Sequence, residues 1–137
     1  MTQFVLDASA LAPFFLADER GELNEEILRR QRAGEEIIAP ALFPYEIINV
    51  LLNAMKRGRI SEPQVLEELR ELATWSITLD ERVGHLGEIF DLAIKHDLTA
   101  YDASYLELAI DGGHALATGD AALARAAIVE SVELVTT

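Results

Sequence analysis

The segment FVLDASALAPFF, residues 4–15, contains the first junction between a strand and a helix in this chain. Its first three residues are apolar and predict a buried strand. The segment DASALAPFFLAD that follows predicts a helix, distorted because Pro13 removes a backbone donor. Asp7 lies at the junction, where burial of an ionised carboxylate is costly unless hydrogen bonds, an opposite charge or a metal offset it. Two interpretations of Asp7 follow, a helix cap or a catalytic ligand.

The rest of the chain continues the alternation of strands with helices. Helices are predicted over residues 20–33, ended by Gly34; over 44–57, begun by Pro44 and ended by Gly58; after Ser61, which can cap a helix with Pro63 in its first turn; over 83–96; from Thr99 to Gly112 and Gly113; and from Asp120. Strands are predicted at EIIAPAL, WSITL, HALAT and VELV. None of this is typical of hairpins, so the pattern predicts an α/β protein whose parallel sheet carries helices on both faces.

Composition narrows the class of protein. At 137 residues the chain fits one domain, and 50% hydrophobic with 26% charged residues is an ordinary globular balance. The start, MTQF, lacks the basic region of a signal peptide, and Asp7 and Pro13 interrupt the apolar run, so we expect a cytoplasmic protein. The absence of cysteine excludes disulfides and thiolate metal sites. Oxygen ligands and hard cations are then the more natural metal chemistry.

Charge argues against nonspecific binding to polyanions. Twenty-four acidic and eleven basic residues give a net charge of −13, which predicts repulsion from RNA, DNA and anionic membranes. Basic residues nevertheless cluster near the ends of two predicted helices, at Arg29, Arg30 and Arg32 and at Lys56, Arg57 and Arg59. Arg29, Arg30, Lys56 and Arg57 are candidate RNA contacts. The alternative is that they are solvated cations placed against helix C-terminal dipoles.

Acids recur where predicted strands end and helices begin, the edge at which open parallel sheets bind ligands. Asp7 and Asp120 follow strands, while Glu46 and Asp102 lie in first helical turns. Singly, each can be a cap, and Thr99 with Asp102 has the spacing of a capping box. Jointly, converging carboxylates repel one another unless divalent cations lie between them. The set predicts a Mg²⁺ or Mn²⁺ site suited to phosphodiester hydrolysis, in which metal lowers the pKa of the attacking water.

Four motifs carry a resemblance to a known family. VLDASAL, PYEIINVL, TAYDASYLELA and LATGDAAL resemble, in order and spacing, the motifs of PIN-domain ribonucleases, especially the VapC-type toxins of toxin–antitoxin (VapBC) systems. The resemblance covers nearly the whole chain, so residues 1–137 are expected to form a single PIN domain, a three-layer α/β/α sandwich with a central, mainly parallel sheet. It implies a Mg²⁺- or Mn²⁺-dependent endoribonuclease whose acidic quartet falls on Asp7, Glu46, Asp102 and Asp120. Because the fourth acid commonly varies in the family, Asp120 is expected to be an outer or water-mediated ligand.

The resemblance also implies partners. A homodimer is expected, together with a cognate VapB-type antitoxin whose C-terminal segment lies over the cleft. A net charge of −13 suits a basic partner segment, and an arginine entering the acidic pocket could displace metal.

Several further residues support the proposed site. Ser9 matches the family's small hydroxyl residue and would hydrogen-bond a carboxylate or bound water, or else cap locally. Thr118 matches a position where a hydroxyl could touch metal-bound water, or is an ordinary strand-end threonine. Asn49, at i+3 from Glu46, either supports that acid or faces solvent.

Aromatic and histidine residues give weaker signals. Trp75, Tyr45, Tyr101 and Tyr105 are interpreted mainly as core residues, and Tyr101, beside Asp102, is the one that could stack on RNA. His85, His96 and His114 share no ligand spacing and are expected to be structural or solvated.

Two alternative functions remain open. One is a catalytically silent binding module of the same fold that holds a basic peptide on its acidic surface, although the presence of all four acids weighs against it. The other is a phosphotransfer protein with Asp7 as phosphoacceptor. Such proteins usually need a lysine near the phosphoryl group, and Lys56 and Lys95 are not at predicted strand ends.

Overall fold

The computed structural model describes residues 3–16 and 21–136. Within these residues, four strands form one sheet in the order β3-β2-β1-β4, and every neighbouring pair is parallel. The strands are β1 (Gln3–Leu6), β2 (Glu36–Pro40), β3 (Ile77–Asp80) and β4 (Ala115–Ala117). Val5 pairs with Ile38 on one side and Leu116 on the other, so β1 is a central strand. The predicted parallel α/β architecture is confirmed.

Helices connect the strands. They are α1 (Ala8–Phe15), α2 (Glu22–Arg32), α3 (Phe43–Lys56), α4 (Glu62–Ala73), α5 (Leu86–His96), α6 (Ala100–Gly112) and α7 (Ala121–Val129). The first four cross the sheet from β1 towards β3, and α5 and α6 return from β3 to β4, so right-handed crossovers place the two groups on opposite faces. The result is a three-layer sandwich. None of the described helices is long and apolar enough to cross a membrane.

Local signals set the helix ends. Ser61 caps α4 in a capping box with Gln64, as its position predicted. Gly113 ends α6 with φ 66°, a left-handed conformation that glycine adopts without a Cβ clash. Pro13 lies inside α1, while Ala17, Asp18 and Arg20 of the predicted helices fall outside the described residues.

Several predicted elements differ in extent from those observed, and three of these differences concern the connections around β3 and the end of the chain's last strand. The strand predicted at WSITL is Ile77–Asp80, because the Trp75 N–H still bonds to Leu72 O (3.0 Å) in the last turn of α4. The helix predicted from residue 83 begins at Leu86, since residues 81–85 form the link from β3. VELV pairs with β4 only through a bridge of Leu134 with Leu116, because β4 offers three residues.

The core surrounds β1. Phe4, Val5 and Leu6 are fully buried, and Leu11 of α1 and Leu106 of α6 are likewise without exposed surface. The chain therefore leaves the centre of the sheet at Leu6, and the next side chain, Asp7, starts from a buried position.

Candidate active site

The carboxyl ends of the four parallel strands share one edge of the sheet, here called the carboxyl edge, and the candidate acids lie along it. Asp7 follows β1, Glu46 is in the first turn of α3, Asp102 is in the first turn of α6, and Asp120 follows β4 as the N-cap of α7. Their charges interact: Asp120 raises the pKa of Asp7, and Asp7 raises the pKa of both Glu46 and Asp102. The structure thus brings the four acids together.

Asp7 is the buried centre of this group, with 3% of its surface exposed. Although Asp7 occupies the N-cap position of α1, its side chain makes no cap hydrogen bond. Instead its Oδ2 accepts hydrogen bonds from Ser9 Oγ (2.5 Å) and Thr118 Oγ1 (2.8 Å). Burial raises the pKa of Asp7, the two hydroxyls lower it in part, and the charge of Asp120 raises it further. Both hydroxyl bonds reach the same carboxylate oxygen, Oδ2, and so fix the orientation of the side chain.

The loop after β4 holds these hydroxyls in place. Ser9 Oγ accepts a hydrogen bond from Gly119 N (3.0 Å) and lies 3.3 Å from Thr118 Oγ1. Thr118 Oγ1 in turn accepts one from Asp120 N (3.0 Å). A Cβ at Gly119 would come within 2.9 Å of the Ser9 carbonyl oxygen, so this close approach requires glycine.

Glu46 has a partner that the sequence interpretation did not identify. Its Oε1 accepts a hydrogen bond of 2.5 Å from the hydroxyl of Tyr105, a fully buried residue of α6. Burial raises the pKa of Glu46, the Tyr105 hydrogen bond lowers it, and the charges of Asp7 and Asp102 raise it. Tyr105 is buried as expected, but its hydroxyl serves an acid. The available signal was its spacing, three residues after Asp102 on one face of a helix.

Asn49, Asp102 and Asp120 complete the set. Asn49 is exposed on α3, and no contact joins it to Glu46 among the hydrogen bonds of the described residues. Thr99 caps α6 by accepting from Asp102 N (3.1 Å); burial raises the pKa of Asp102, as do the charges of Asp7 and Asp120. The Asp120 side chain caps α7, its Oδ1 accepting from Ala122 N (2.8 Å) and Leu123 N (3.2 Å).

The donor set fits a hard divalent cation. Only carboxylate oxygens converge, and the interactions that lower the pKa of Asp7, Glu46 and Asp102 come from hydroxyls and a backbone N–H, none from a cation in the described parts of the chain. No group of three acids or histidines encloses a metal position over residues 3–16 and 21–136. Like charges keep apart, and Asp120 and Glu46 are turned towards α7 and Tyr105.

The candidate RNA contacts divide into two kinds. Arg29 and Arg30 form ion pairs with Glu26 (2.6 and 3.0 Å), whose pKa the Arg29 and Arg30 hydrogen bonds lower to about 2. They end α2, which leads into the start of β2, so they lie at the edge opposite the acids. Lys56 and Arg57 are exposed at the far end of α3, about 15 Å along the helix from Glu46 at 1.5 Å per residue. The structure does not bring these four cations to the acids.

The tyrosines near the acids are more exposed than expected. Tyr101, next to Asp102, is 62% exposed at the carboxyl edge. Tyr45, next to Glu46, was interpreted as a core residue, and this is wrong because 72% of its surface is exposed. Tyr45 lies on the solvent-facing side of α3, whereas Ile47 of the same helix is buried.

Two histidines are held in ion contacts outside the acidic group. His85 Nδ1 lies 3.0 Å from Oε1 of the buried Glu107, and His96 Nε2 lies 2.6 Å from Glu130 Oε2. These contacts fit the structural role expected for them. Trp75 is buried and packs edge-on against Phe14, with ring centroids 5.6 Å apart.

Comparison with known proteins gives the family. The PIN domain model matches residues 4–129, a range that contains all four acids. The chain is 34% identical over 126 residues to Ribonuclease VapC3 of Pyrobaculum aerophilum, covering 89% of this chain and 92% of that protein. The structure of this chain is similar to the crystal structure of PAE2754, also from Pyrobaculum aerophilum. The TM-score is 0.69, and the sequence identity is 25% over 91% of this chain and 84% of that one. The chain therefore belongs to the PIN-domain family.

Proposed function

We propose that this protein is a VapC-type endoribonuclease, the toxin of a type II toxin–antitoxin system, which hydrolyses RNA phosphodiester bonds with Mg²⁺ or Mn²⁺. The observation that carries the proposal is the position of Asp7, Glu46, Asp102 and Asp120 along one edge of the sheet. No cation in the described part of the chain lowers the pKa of Asp7, Glu46 or Asp102. The name of the Pyrobaculum aerophilum relative supports RNA as the substrate.

Asp7, Glu46 and Asp102 would hold the cation, with Asp120 as an outer ligand. When bound, a divalent cation offsets the repulsion between carboxylates, lowers the pKa of an attacking water and neutralises charge on the phosphate. Asp7 would contribute a fixed carboxylate, because the hydroxyls of Ser9 and Thr118 both hold its Oδ2. Asp120 uses Oδ1 to cap α7, which restricts its part in the site to Oδ2.

RNA binding then depends on contacts other than a basic cleft. Tyr101 precedes Asp102 and is 62% exposed, so its ring is available to stack on an unpaired base beside the scissile phosphate. Stacking of this kind favours single-stranded segments, whose bases are not already stacked in a duplex. The exposed Lys56 and Arg57 would reach only a distant part of a longer RNA.

Two surfaces suit binding partners: the acidic site, and the exposed apolar side chains of α5. The uncompensated carboxylates would attract a basic segment of a VapB-type antitoxin into the cleft. A homodimer is supported by α5, where Leu86, Phe90 and Ile94 recur at four-residue spacing and are 77%, 64% and 70% exposed.

The test is cleavage of structured RNAs by the wild type and by the variants Asp7→Asn and Asp102→Asn, with Mg²⁺, with Mn²⁺ and with chelator. We expect cleavage only by the wild type with a divalent cation, leaving 5′-phosphate and 3′-hydroxyl ends. Asp91→Asn is the matched control, because Asp91 is an exposed aspartate on α5 outside the acidic group. Equal cleavage by all variants, or cleavage that persists in chelator, would refute the metal-nuclease proposal. A folded wild type that binds a basic peptide but cleaves nothing would instead indicate the catalytically silent module.

A further inference from the structure

The hydroxyl of Tyr105 joins two helices that carry candidate acids. Tyr105 lies on α6 with no exposed surface, and its hydroxyl donates to Glu46 Oε1 on α3 at 2.5 Å. The phenol therefore connects the helix of Asp102 with the helix of Glu46.

Packing alone does not account for this hydroxyl. The ring belongs to the buried core, where phenylalanine would fill the same space. A buried hydroxyl is costly without a partner, and the partner found here, Glu46, belongs to the acidic site. A hydrogen bond to an ionised carboxylate is also shorter and stronger than one between neutral groups.

We propose that Tyr105 is a positioning residue for the divalent cation: its hydroxyl fixes Glu46 through Oε1 and leaves Oε2 to bind the ion. This inference rests on the proposed function. Without the hydroxyl, Glu46 would have a free carboxylate at the end of a flexible side chain, in a group where Asp7 and Asp102 repel it. Binding of the cation would then have to order that side chain as well as offset its charge.

The experiment measures Mn²⁺ affinity by electron paramagnetic resonance of the free ion, alongside thermal unfolding without divalent cation. We expect Tyr105→Phe to weaken Mn²⁺ binding about tenfold or more, the effect of losing a partner that orients a metal ligand. Tyr45→Phe, the same substitution at the exposed tyrosine beside Glu46, should bind Mn²⁺ as the wild type does.

A double-mutant cycle separates positioning from general structural damage. In a Glu46→Gln background the ligand that Tyr105 orients is already lost, so adding Tyr105→Phe should weaken Mn²⁺ binding no further. An equal further loss in that background would overturn the inference, as would wild-type Mn²⁺ affinity in the Tyr105→Phe protein. Failure of the proposed function looks different: the wild type would then bind Mn²⁺ no better than Asp7→Asn.

Discussion

Asp120 offers a way to separate helix capping from a role in the site. Its Oδ1 accepts from Ala122 N at 2.8 Å and Leu123 N at 3.2 Å, so it caps α7. Its charge also raises the pKa of Asp7 and of Asp102. The variants Asp120→Asn and Asp120→Ala separate the capping of α7 from the charge of Asp120. Asparagine keeps an oxygen where Oδ1 stands and removes the charge, while alanine removes both.

The capping geometry sets the size of the effect. Replacing an N-cap aspartate by alanine costs about 1 kcal/mol, whereas asparagine is an equally good cap. For a chain of this length, about 1 kcal/mol corresponds to a Tm lower by roughly 3–5 °C. Asp120→Asn should therefore unfold within a few tenths of a kcal/mol of the wild type, or slightly above it in metal-free buffer, because the repulsion of Asp7 and Asp102 is relieved.

Calorimetry or urea unfolding at pH 7.5 in chelator measures stability, and cleavage of a fixed RNA at one Mn²⁺ concentration measures activity. Both variants should lose activity to a similar degree, since both lack the carboxylate, and only Asp120→Ala should lose stability. Loss of stability in Asp120→Asn equal to that in Asp120→Ala would refute the capping argument. Full activity in Asp120→Asn would show that Asp120 serves the site only by holding α7.

Two further predictions concern stability. The variant Asp7→Asn keeps an oxygen that can accept from Ser9 and Thr118. Burial raises the pKa of Asp7 in the folded state, so the protonated group stabilises the wild type fully below about pH 3.8. This stabilisation is lost as the pH rises through the raised pKa. In chelator, urea unfolding should therefore find Asp7→Asn more stable than the wild type at pH 8 and no more stable at pH 3.5; an advantage independent of pH would contradict this. Arg82→Met removes the ion pair (3.0 Å) to Glu107, whose side chain is 5% exposed. The free energy of unfolding should fall by about 2–3 kcal/mol. Loss of a fully buried pair would lower it more, because Arg82 is partly solvated. Adding Glu107→Leu should restore much of the loss in urea unfolding, and a single variant within about 0.5 kcal/mol of the wild type would show that the pair contributes little.

The fold was predictable because its signals are local. Gly113 and Ser61 mark helix ends through backbone conformations and caps that a few neighbouring residues decide. The errors lie where tertiary contacts decide. Trp75 is β-prone, but its N–H completes the last turn of α4 while its ring fills a space beside Phe14. Residues 83–85 were predicted as helix but belong to the connection from β3, in which Arg82 is held by ion pairs to Asp80, Glu107 and Asp111.

The same division applies to the candidate site. Sequence position alone put the acids at strand ends and helix starts, and a parallel sheet necessarily brings such positions to one edge. Whether a basic residue reaches that edge depends on which end of its helix carries it. Arg30 lies in the last turn of α2 and Arg57 follows α3, and the C-terminal ends of both helices point away from the acids. The role of Tyr105 was not predictable from sequence, because its hydroxyl contacts Glu46, a residue 59 positions away in the chain.

Asp7 and Asp120 show why no local pattern separates a cap from a ligand. Both follow a parallel strand, both occupy an N-cap position, and both have extended backbone there. Asp120 uses its carboxylate on its own helix, whereas the Oδ2 of Asp7 is held by Ser9 and by Thr118, a residue 111 positions away. That long-range bond ties the side chain of Asp7 to the loop after β4, which leads to Asp120. A helix without its side-chain cap and a buried carboxylate with raised pKa both cost stability, and a cation bound at the carboxyl edge would offset the second cost.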